Sequence, residues 1–173
     1  MVVMGYILGK AAAVHDGKNA AMTQSYGPEA RGGASSTQVV ISEEPIMYPY
    51  VGAVNVMVGM SQEGYNKYRK LRAPEAKLLI DEDLVSLEPD EDLSRVYKIP
   101  ATRFAEELGR KIVANIVMLG FFSALTGLVR DESLRKAVAD SVPKATIDLN
   151  MRAYEKGRSH ALAILEGSAA QPK

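Results

Sequence analysis

The chain contains no cysteine and no tryptophan, and only two of its 173 residues are histidine. Without cysteine it cannot form disulfides, thiolate zinc sites or cysteine-ligated iron–sulfur clusters. Two histidines are too few for a metal site built from several imidazoles. Both are expected to be solvated, because His15 ends an alanine-rich run and His160 lies in a polar segment. If the chain takes part in electron transfer, the electron carriers must reside on another protein.

The chain also lacks an excess of charge of either sign, with 21 basic and 21 acidic side chains. This balance argues against binding nucleic acid or an anionic membrane, since both need a basic excess. The longest apolar run, residues 112–125, is too short to cross a bilayer, and no signal peptide is evident in the first 14 residues. We therefore expect a cytoplasmic protein with one domain over residues 1–166 and a flexible tail over 167–173.

The sequence contains three charged clusters whose side chains could either face water or form a functional site. The basic cluster Lys67, Arg69, Lys70 and Arg72 fits a local binding patch or a solvated helix face. The acidic residues 81–83 follow a predicted strand and could hold magnesium, but a loop facing water is favoured. The acidic turn at 88–92 is likewise expected to be solvated. No metal site is predicted.

Hydrophobic periodicity and turn residues predict an α/β fold with a mainly parallel sheet and a helical C-terminal part. The run at 54–60, apolar except for Asn55, is typical of a strand buried on both faces. Residues 96–99 are predicted to be an edge strand. Strands are predicted at 19–24, 37–42, 54–60, 77–81 and 96–99, and helices at 1–16, 62–71, 102–108, 111–125, 132–141 and 145–165.

The most distinctive segment is residues 24–35, Gln-Ser-Tyr-Gly-Pro-Glu-Ala-Arg-Gly-Gly-Ala-Ser, between two predicted strands. Its glycines allow a ligand to approach the main chain closely, and Glu29 and Arg31 supply an anion and a cation. Recognition of a ligand or partner is one interpretation. The other is a tight loop in which Glu29 and Arg31 are solvated or pair with each other.

This loop and its surroundings resemble the gamma subunit of 2-oxoacid:ferredoxin oxidoreductases. The first predicted helix, with Gly5-Tyr6-Ile7-Leu8, is similar to that family's first helix, and residues 23–35 are similar to its signature loop. Further similarity covers residues 56–63, 115–120 and 125–128, so the resemblance spans nearly the whole chain. The loop looks most like that of the 2-oxoglutarate branch.

The resemblance departs from the family at the N-terminus. Family members begin with a strand and a Gly-rich turn ending in a Gly-Gly-Gln-Gly-like motif, and Met1 falls directly after the point where that motif would end. A misassigned start codon is one hypothesis, and a genuinely shortened relative is the other. A sheet that lacks its first strand is expected to expose an edge or a hydrophobic groove. The chain is thus expected to self-associate, as a homodimer when isolated, or to seek partners.

The resemblance implies that this chain helps to bind coenzyme A. No residue of the sequence looks like a nucleophile or a general base in its own right, so no catalytic residue is predicted. A phosphate could pair with Arg31 and reach backbone amides beside Gly32 and Gly33, and Tyr26 could stack on adenine or seal a subunit contact. Ser61 is expected to be a helix N-cap. The predicted contact residues are Tyr26, Gly27, Glu29, Arg31, Gly32, Gly33, Gln62 and Asn115. For Asn115 the alternative is that its side-chain amide hydrogen bonds to a neighbouring loop and has only a structural role.

The resemblance further implies a multi-subunit enzyme that converts a 2-oxoacid and coenzyme A into an acyl-CoA and carbon dioxide, and reduces ferredoxin. Thiamine diphosphate and the iron–sulfur clusters would lie on the alpha, beta and delta partner subunits, in agreement with the absence of cysteine here. The alternative is a non-catalytic interaction or relict domain of the same family that has lost its nucleotide-binding loop. The missing Gly-rich motif favours that alternative, and the signature loop favours the enzyme subunit.

Overall fold

The computed structural model of the protein describes residues 2–25 and 35–169. Its strands are β1 (Asn19–Ser25), β2 (Ser36–Ser42), β3 (Val54–Gly59), β4 (Arg72–Asp81) and β5 (Val96–Ile99). Its α-helices are α1 (Val2–Lys10), α2 (Gln62–Tyr68), α3 (Ala101–Glu107), α4 (Ala114–Thr126), α5 (Asp131–Ser141) and α6 (Ile147–Ala169). A π-helical turn, Ala11–His15, continues α1.

The strands of the described residues form two sheets. β3, β4 and β5 pair in parallel in that order, with Val58 opposite Leu79, whereas β1 and β2 form an antiparallel hairpin. The predicted α/β fold with a mainly parallel sheet and a helical C-terminal part is therefore confirmed, and β5 is the expected edge strand.

Several element bounds differ from the prediction, most clearly those of β4 and α6. β4 begins at residue 72 rather than 77, so it includes polar and charged residues that gave no apolar signal. α6 continues through residues 167–169, which were predicted to belong to the tail, and residues 170–173 lie outside the described part.

The two faces of the parallel sheet are covered by different helices. Val56 and Val58 of β3 pack against the core that contains α1 and α4, whereas Met57 packs with Tyr65 of α2 in a second cluster. Successive side chains of a strand point to opposite faces, so a strand covered on both sides must be apolar at both sets of positions. This accounts for the apolar residues of β3, among which only Asn55 is polar and exposed.

α4 is the centre of the main core, and α6 crosses it at a pair of glycines. Apolar residues occur on all sides of α4, as expected for a helix that other elements surround. Gly120 of α4 lies against the backbone of Tyr154, and Gly157 of α6 lies against the backbone of Val117. The two helices therefore approach to backbone contact at this crossing.

The two histidines are half-buried rather than solvated, which corrects that expectation. The His160 ring lies 5.4 Å from the ring of Phe104 and 5.9 Å from that of Phe121. His15 Nε2 lies 3.2 Å from the Asp140 carboxylate. Both rings pack between elements because the helices that carry them contact other helices. Within residues 2–25 and 35–169, no helix is both long and apolar enough to cross a bilayer.

The carboxylate of Asp16 joins the end of the first helical segment to the start of α5. Its side chain is 2% exposed and accepts hydrogen bonds from the Ser133 hydroxyl at 2.5 Å, the Arg130 amide at 2.9 Å and Arg130 Nε at 2.7 Å. Burial alone would raise the pKa of Asp16, but the hydrogen bonds from Ser133 and Arg130 outweigh it and hold the pKa below its ordinary value.

We expect Asp16→Asn to lower the free energy of unfolding at pH 7 by about 1–3 kcal/mol, because charge-assisted hydrogen bonds are replaced by weaker ones. The folded-state pKa of Asp16 is lowered, so its contribution is complete above the ordinary value of 3.8 and is lost as the pH falls below it. Urea unfolding of both proteins from pH 7 to pH 3 should show the difference shrinking below about pH 4. Asp140→Asn removes a half-exposed carboxylate and is the control. It should change the free energy of unfolding only slightly. A difference that does not depend on pH would contradict the assignment.

Candidate functional site

A cleft of about 500 Å³ lies between β2 and β3. Every residue of both strands lines it, so the cleft runs along their full length. Met4, Gly5 and Leu8 of α1 and Phe122 of α4 line it as well. Because both strands contribute valine or isoleucine, and β3 also contributes Met57, the cleft is mainly apolar.

Polar side chains gather at the end of the cleft where β2 begins. Ser36, Tyr68 and Ser61 all line it. The hydroxyl of Ser36, then that of Ser25, and the ammonium of Lys67 lower the pKa of Tyr68, while burial opposes them. An apolar cleft with a few polar groups at one end is a common form of ligand site.

The signature loop is attached at this same end. Ser25, the last residue of β1, is paired with Ser36, the first residue of β2, and the segment 26–34 connects them. Because Ser36 lines the cleft, both ends of the segment start next to it. The segment itself lies outside the described residues, and with it the predicted contact residues Tyr26, Gly27, Glu29, Arg31, Gly32 and Gly33.

The structure places the other two predicted contact residues away from the cleft. The Gln62 side chain accepts a hydrogen bond from the Ser86 amide at 2.7 Å and donates to the Ser86 carbonyl at 3.0 Å, so it holds the loop after β4. Asn115 is half-buried in the first turn of α4. Neither residue lines the cleft. A role for Gln62 or Asn115 in ligand binding stays a prediction.

Sequence reasoning did not single out Tyr68 or Ser36. A weak signal was available, since Ser61, Tyr65 and Tyr68 recur with helical spacing after a buried strand. The predicted N-cap is confirmed: the Ser61 hydroxyl accepts a hydrogen bond from the Gly64 amide at 3.2 Å. The sequence does not show that the β1–β2 hairpin lies next to the end of α2, and it is this packing that brings Ser25 and Ser36 to Tyr68.

Two arginines of the basic cluster pair with the acidic turn, which corrects the expectation that this turn is solvated. Arg72 Nη1 lies 2.6 Å from the Glu91 carboxylate, and the side chains are 11% and 6% exposed. The same carboxylate accepts a hydrogen bond from the Tyr65 hydroxyl at 2.5 Å, and Arg69 pairs with the exposed Asp90. Burial and the bond to Glu91 raise the pKa of Tyr65. The pairing fastens the 88–92 turn to α2 and β4.

Asp81 is also buried, not water-facing as expected. Its carboxylate accepts hydrogen bonds from the Thr102 amide at 2.9 Å and the Thr102 hydroxyl at 2.6 Å, at the start of α3. Such contacts stabilise a helix N-terminus. Within the described residues no cluster of three acidic or histidine side chains could hold a metal ion.

A parallel sheet with helices on both faces, a hairpin and a cleft beside β3 define an α/β domain. The chain belongs to the pyruvate ferredoxin/flavodoxin oxidoreductase family, whose model matches residues 1–160. It is 51% identical over 160 residues to the 2-oxoglutarate synthase subunit KorC of Methanocaldococcus jannaschii, a match that covers 91% of this chain and 85% of that protein.

Solved structures agree with this assignment. The gamma subunit of keto/oxoacid ferredoxin oxidoreductase from Geobacter sulfurreducens superimposes with a TM-score of 0.81 at 38% identity, covering 94% of this chain and 91% of that one. The 2-oxoglutarate:ferredoxin oxidoreductase of Magnetococcus marinus, solved with 2-oxoglutarate, coenzyme A and succinyl-CoA bound, gives 0.79 at 23% identity. The match covers 94% of this chain and 29% of that one, and at this identity it shows the fold alone.

Proposed function

We propose that the chain is the gamma subunit of a multi-subunit oxidoreductase that converts 2-oxoglutarate and coenzyme A into succinyl-CoA and carbon dioxide with reduction of ferredoxin. The observation that carries this proposal is the 51% identity to a 2-oxoglutarate synthase subunit over 91% of the chain. The sequence has no cysteine and so cannot hold an iron–sulfur cluster through thiolates. This supports an enzyme in which the alpha, beta and delta subunits carry thiamine diphosphate and the iron–sulfur clusters. The assembled enzyme is proposed to be cytoplasmic.

Within that enzyme, the proposed role of this chain is to bind coenzyme A through residues 26–34. The polar end of the cleft supports this role, because both ends of the segment start there, beside Tyr68 and Ser36. Arg31 can pair with a phosphate through two parallel hydrogen bonds, and the adjacent glycines leave backbone amides accessible.

The test of the proposal is purification of the tagged chain from its native host under anaerobic conditions. We expect thiamine-binding and iron–sulfur subunits to co-purify, and the eluate to reduce a viologen dye only when both 2-oxoglutarate and coenzyme A are present. Substituting pyruvate for 2-oxoglutarate tests the branch of the family. A chain recovered without partners or activity would contradict the proposal and support the interaction or relict domain instead.

We expect Arg31→Ala to raise the KM for coenzyme A in the assembled enzyme by about 10-fold to 100-fold, the loss of one charged hydrogen-bonded contact. The KM for 2-oxoglutarate and the melting temperature should not change. Arg31→Lys should recover part of the affinity, because lysine keeps the charge but not the paired hydrogen bonds. Arg152→Ala, at an exposed arginine of α6, is the matched control. An unchanged KM for coenzyme A would refute the role of Arg31.

A further inference from the structure

The segment that connects β2 to β3 exposes a cluster of apolar side chains. Residues 43–53 contain neither helix nor strand, and positions 45–53 carry no charge. Met47, Tyr48 and Tyr50 are 92%, 70% and 62% exposed, and we refer to these three residues as the 47–50 patch. A single exposed apolar residue is ordinary on a protein surface, but a group of them marks a surface that contacts a partner.

Other exposed apolar residues do not form such a group. Leu93 and Ile112 are also strongly exposed, but neither has another large exposed apolar residue within four positions among the described residues. They are therefore suitable controls for the patch.

Both ends of the 43–53 segment are fastened to β2. At its start, the Glu44 amide donates a hydrogen bond to the Ser42 hydroxyl at 3.0 Å. Near its end, the Val51 amide donates to the side-chain oxygen of Gln38 at 3.5 Å. The segment is thus held against the hairpin although it has no regular structure of its own.

The patch itself is stiff. The rings of Tyr48 and Tyr50 contact each other, with centroids 5.4 Å apart. Pro45 and Pro49 fix the backbone φ angle at two positions of the segment. A tyrosine side chain has few torsions to immobilise, and a surface that is already ordered loses less entropy when it binds. Tyrosine and methionine are also enriched in protein–protein interfaces. Composition and order together favour a protein partner.

The 43–53 segment is attached at the opposite end of β2 from the 26–34 segment. It follows Ser42, whereas the 26–34 segment lies before Ser36. The seven residues of β2 span about 20 Å. Substitutions in the patch can therefore be separated from those in the proposed coenzyme A contacts.

A longer relative indicates which protein lies against this domain. The chain is 34% identical over 168 residues to the ketoisovalerate oxidoreductase subunit VorA of Methanothermobacter thermautotrophicus, a match that covers 95% of this chain and 34% of that one. About two thirds of that subunit therefore lies outside the match. Domains of one chain pack through surfaces that resemble protein–protein interfaces. When the same domain is a separate chain, the corresponding surface is available to a separate subunit.

We propose that the 47–50 patch docks onto the subunit whose sequence corresponds to the unmatched two thirds of the VorA chain. The proposal rests on the proposed function, since it requires this chain to be a subunit of the oxidoreductase. The surface that receives the patch should have an apolar pocket for the two tyrosine rings. Basic side chains should lie at its rim, because the exposed carboxylates of Glu43 and Glu44 flank the patch.

The first test measures how tightly variants of the tagged chain hold that subunit in the anaerobically purified enzyme. We expect Tyr48→Ser with Tyr50→Ser to weaken the association by on the order of 100-fold, as for other aromatic residues at the centre of an interface. The melting temperature of the isolated chain should not change, because both side chains are exposed. Leu93→Ser is the matched control and should leave the association unchanged. Equal association of the double variant and the unsubstituted chain would overturn the proposal.

The second test identifies the occupant without removing the tyrosines. A benzophenone amino acid replaces Met47 in the assembled enzyme, the enzyme is irradiated, and the cross-linked peptides are sequenced. We expect cross-links to the subunit that corresponds to the unmatched part of VorA, and none to it from the same amino acid at position 93. Cross-links from position 47 only to a second copy of this chain or to a different subunit, or no cross-links, would overturn the proposal.

The activity of the unsubstituted enzyme with 2-oxoglutarate and coenzyme A separates this proposal from the proposed function. If that enzyme is active but position 47 does not cross-link to the stated subunit, only the docking proposal is overturned. A chain that recruits no other subunit would overturn both.

Discussion

Gly120→Ala is expected to lower the free energy of unfolding by more than about 3 kcal/mol, at or beyond the usual cost of overpacking a core. A β-carbon at position 120 would lie 1.9 Å from the carbonyl oxygen of Tyr154 and 2.8 Å from its carbonyl carbon. Both are backbone atoms of α6, so no side-chain rotation can relieve the overlap. The two helices would have to separate, which would expose the core that Phe121 and Tyr154 fill.

Thermal unfolding followed by circular dichroism measures this effect, and α6 provides the control. Gly157→Ala should be as damaging as Gly120→Ala, because its β-carbon would lie 1.8 Å from the Val117 carbonyl oxygen. Gly167→Ala is in the same helix, but no atom lies within 4 Å of the added carbon. That variant should be neutral or more stable by up to about 1 kcal/mol, since alanine favours the helix. A Gly120→Ala protein with the wild-type melting temperature would show that α4 and α6 do not cross in backbone contact.

Glu91→Ala is expected to have the next largest effect, a loss of about 3–5 kcal/mol, the usual result of removing one partner of a buried ion pair. Arg72 would keep its charge at an 11% exposed site without its 2.6 Å partner, and the Tyr65 hydroxyl would lose its acceptor. Arg72→Met with Glu91→Leu should lose much less, because no unpaired charge remains.

Urea unfolding of these variants gives the measurement, and the neighbouring pair gives the control. Asp90 is exposed and pairs with Arg69 in water, where ion pairs contribute little to stability. Asp90→Ala should therefore leave the midpoint of unfolding nearly unchanged. If Glu91→Ala and Asp90→Ala had equal effects, the 88–92 turn would be solvated, as the sequence alone suggested.

The fold could be predicted from the sequence wherever local patterns agreed with the final environment. The apolar run of β3, the Ser61 cap and the edge strand at 96–99 are such cases, since each depends on a few neighbouring residues. The prediction was wrong for Asp81 and Glu91, because each is buried by an element more than ten residues away along the chain. A carboxylate beside other carboxylates looks solvated until its distant partner is known.

For the candidate site, too, the sequence predicted some features and not others. The 26–34 segment stands out in the sequence because its glycines, proline and charges are unusual for a connection of that length. The family that it resembles is the one whose model matches residues 1–160. The cleft could not be located in this way. It is formed by β2, β3 and α1, which meet only when the hairpin and the parallel sheet pack on one helical layer.

The sequence by itself determined the element types, the absence of thiolate chemistry and the family, because these depend on residue identity and short-range periodicity. The tertiary structure alone decided which charges neutralise each other, where α4 and α6 touch and how β2, β3 and α1 enclose the cleft. Those features depend on distances between residues far apart in the chain, and such distances are set by the packing of whole helices and sheets rather than by any local pattern.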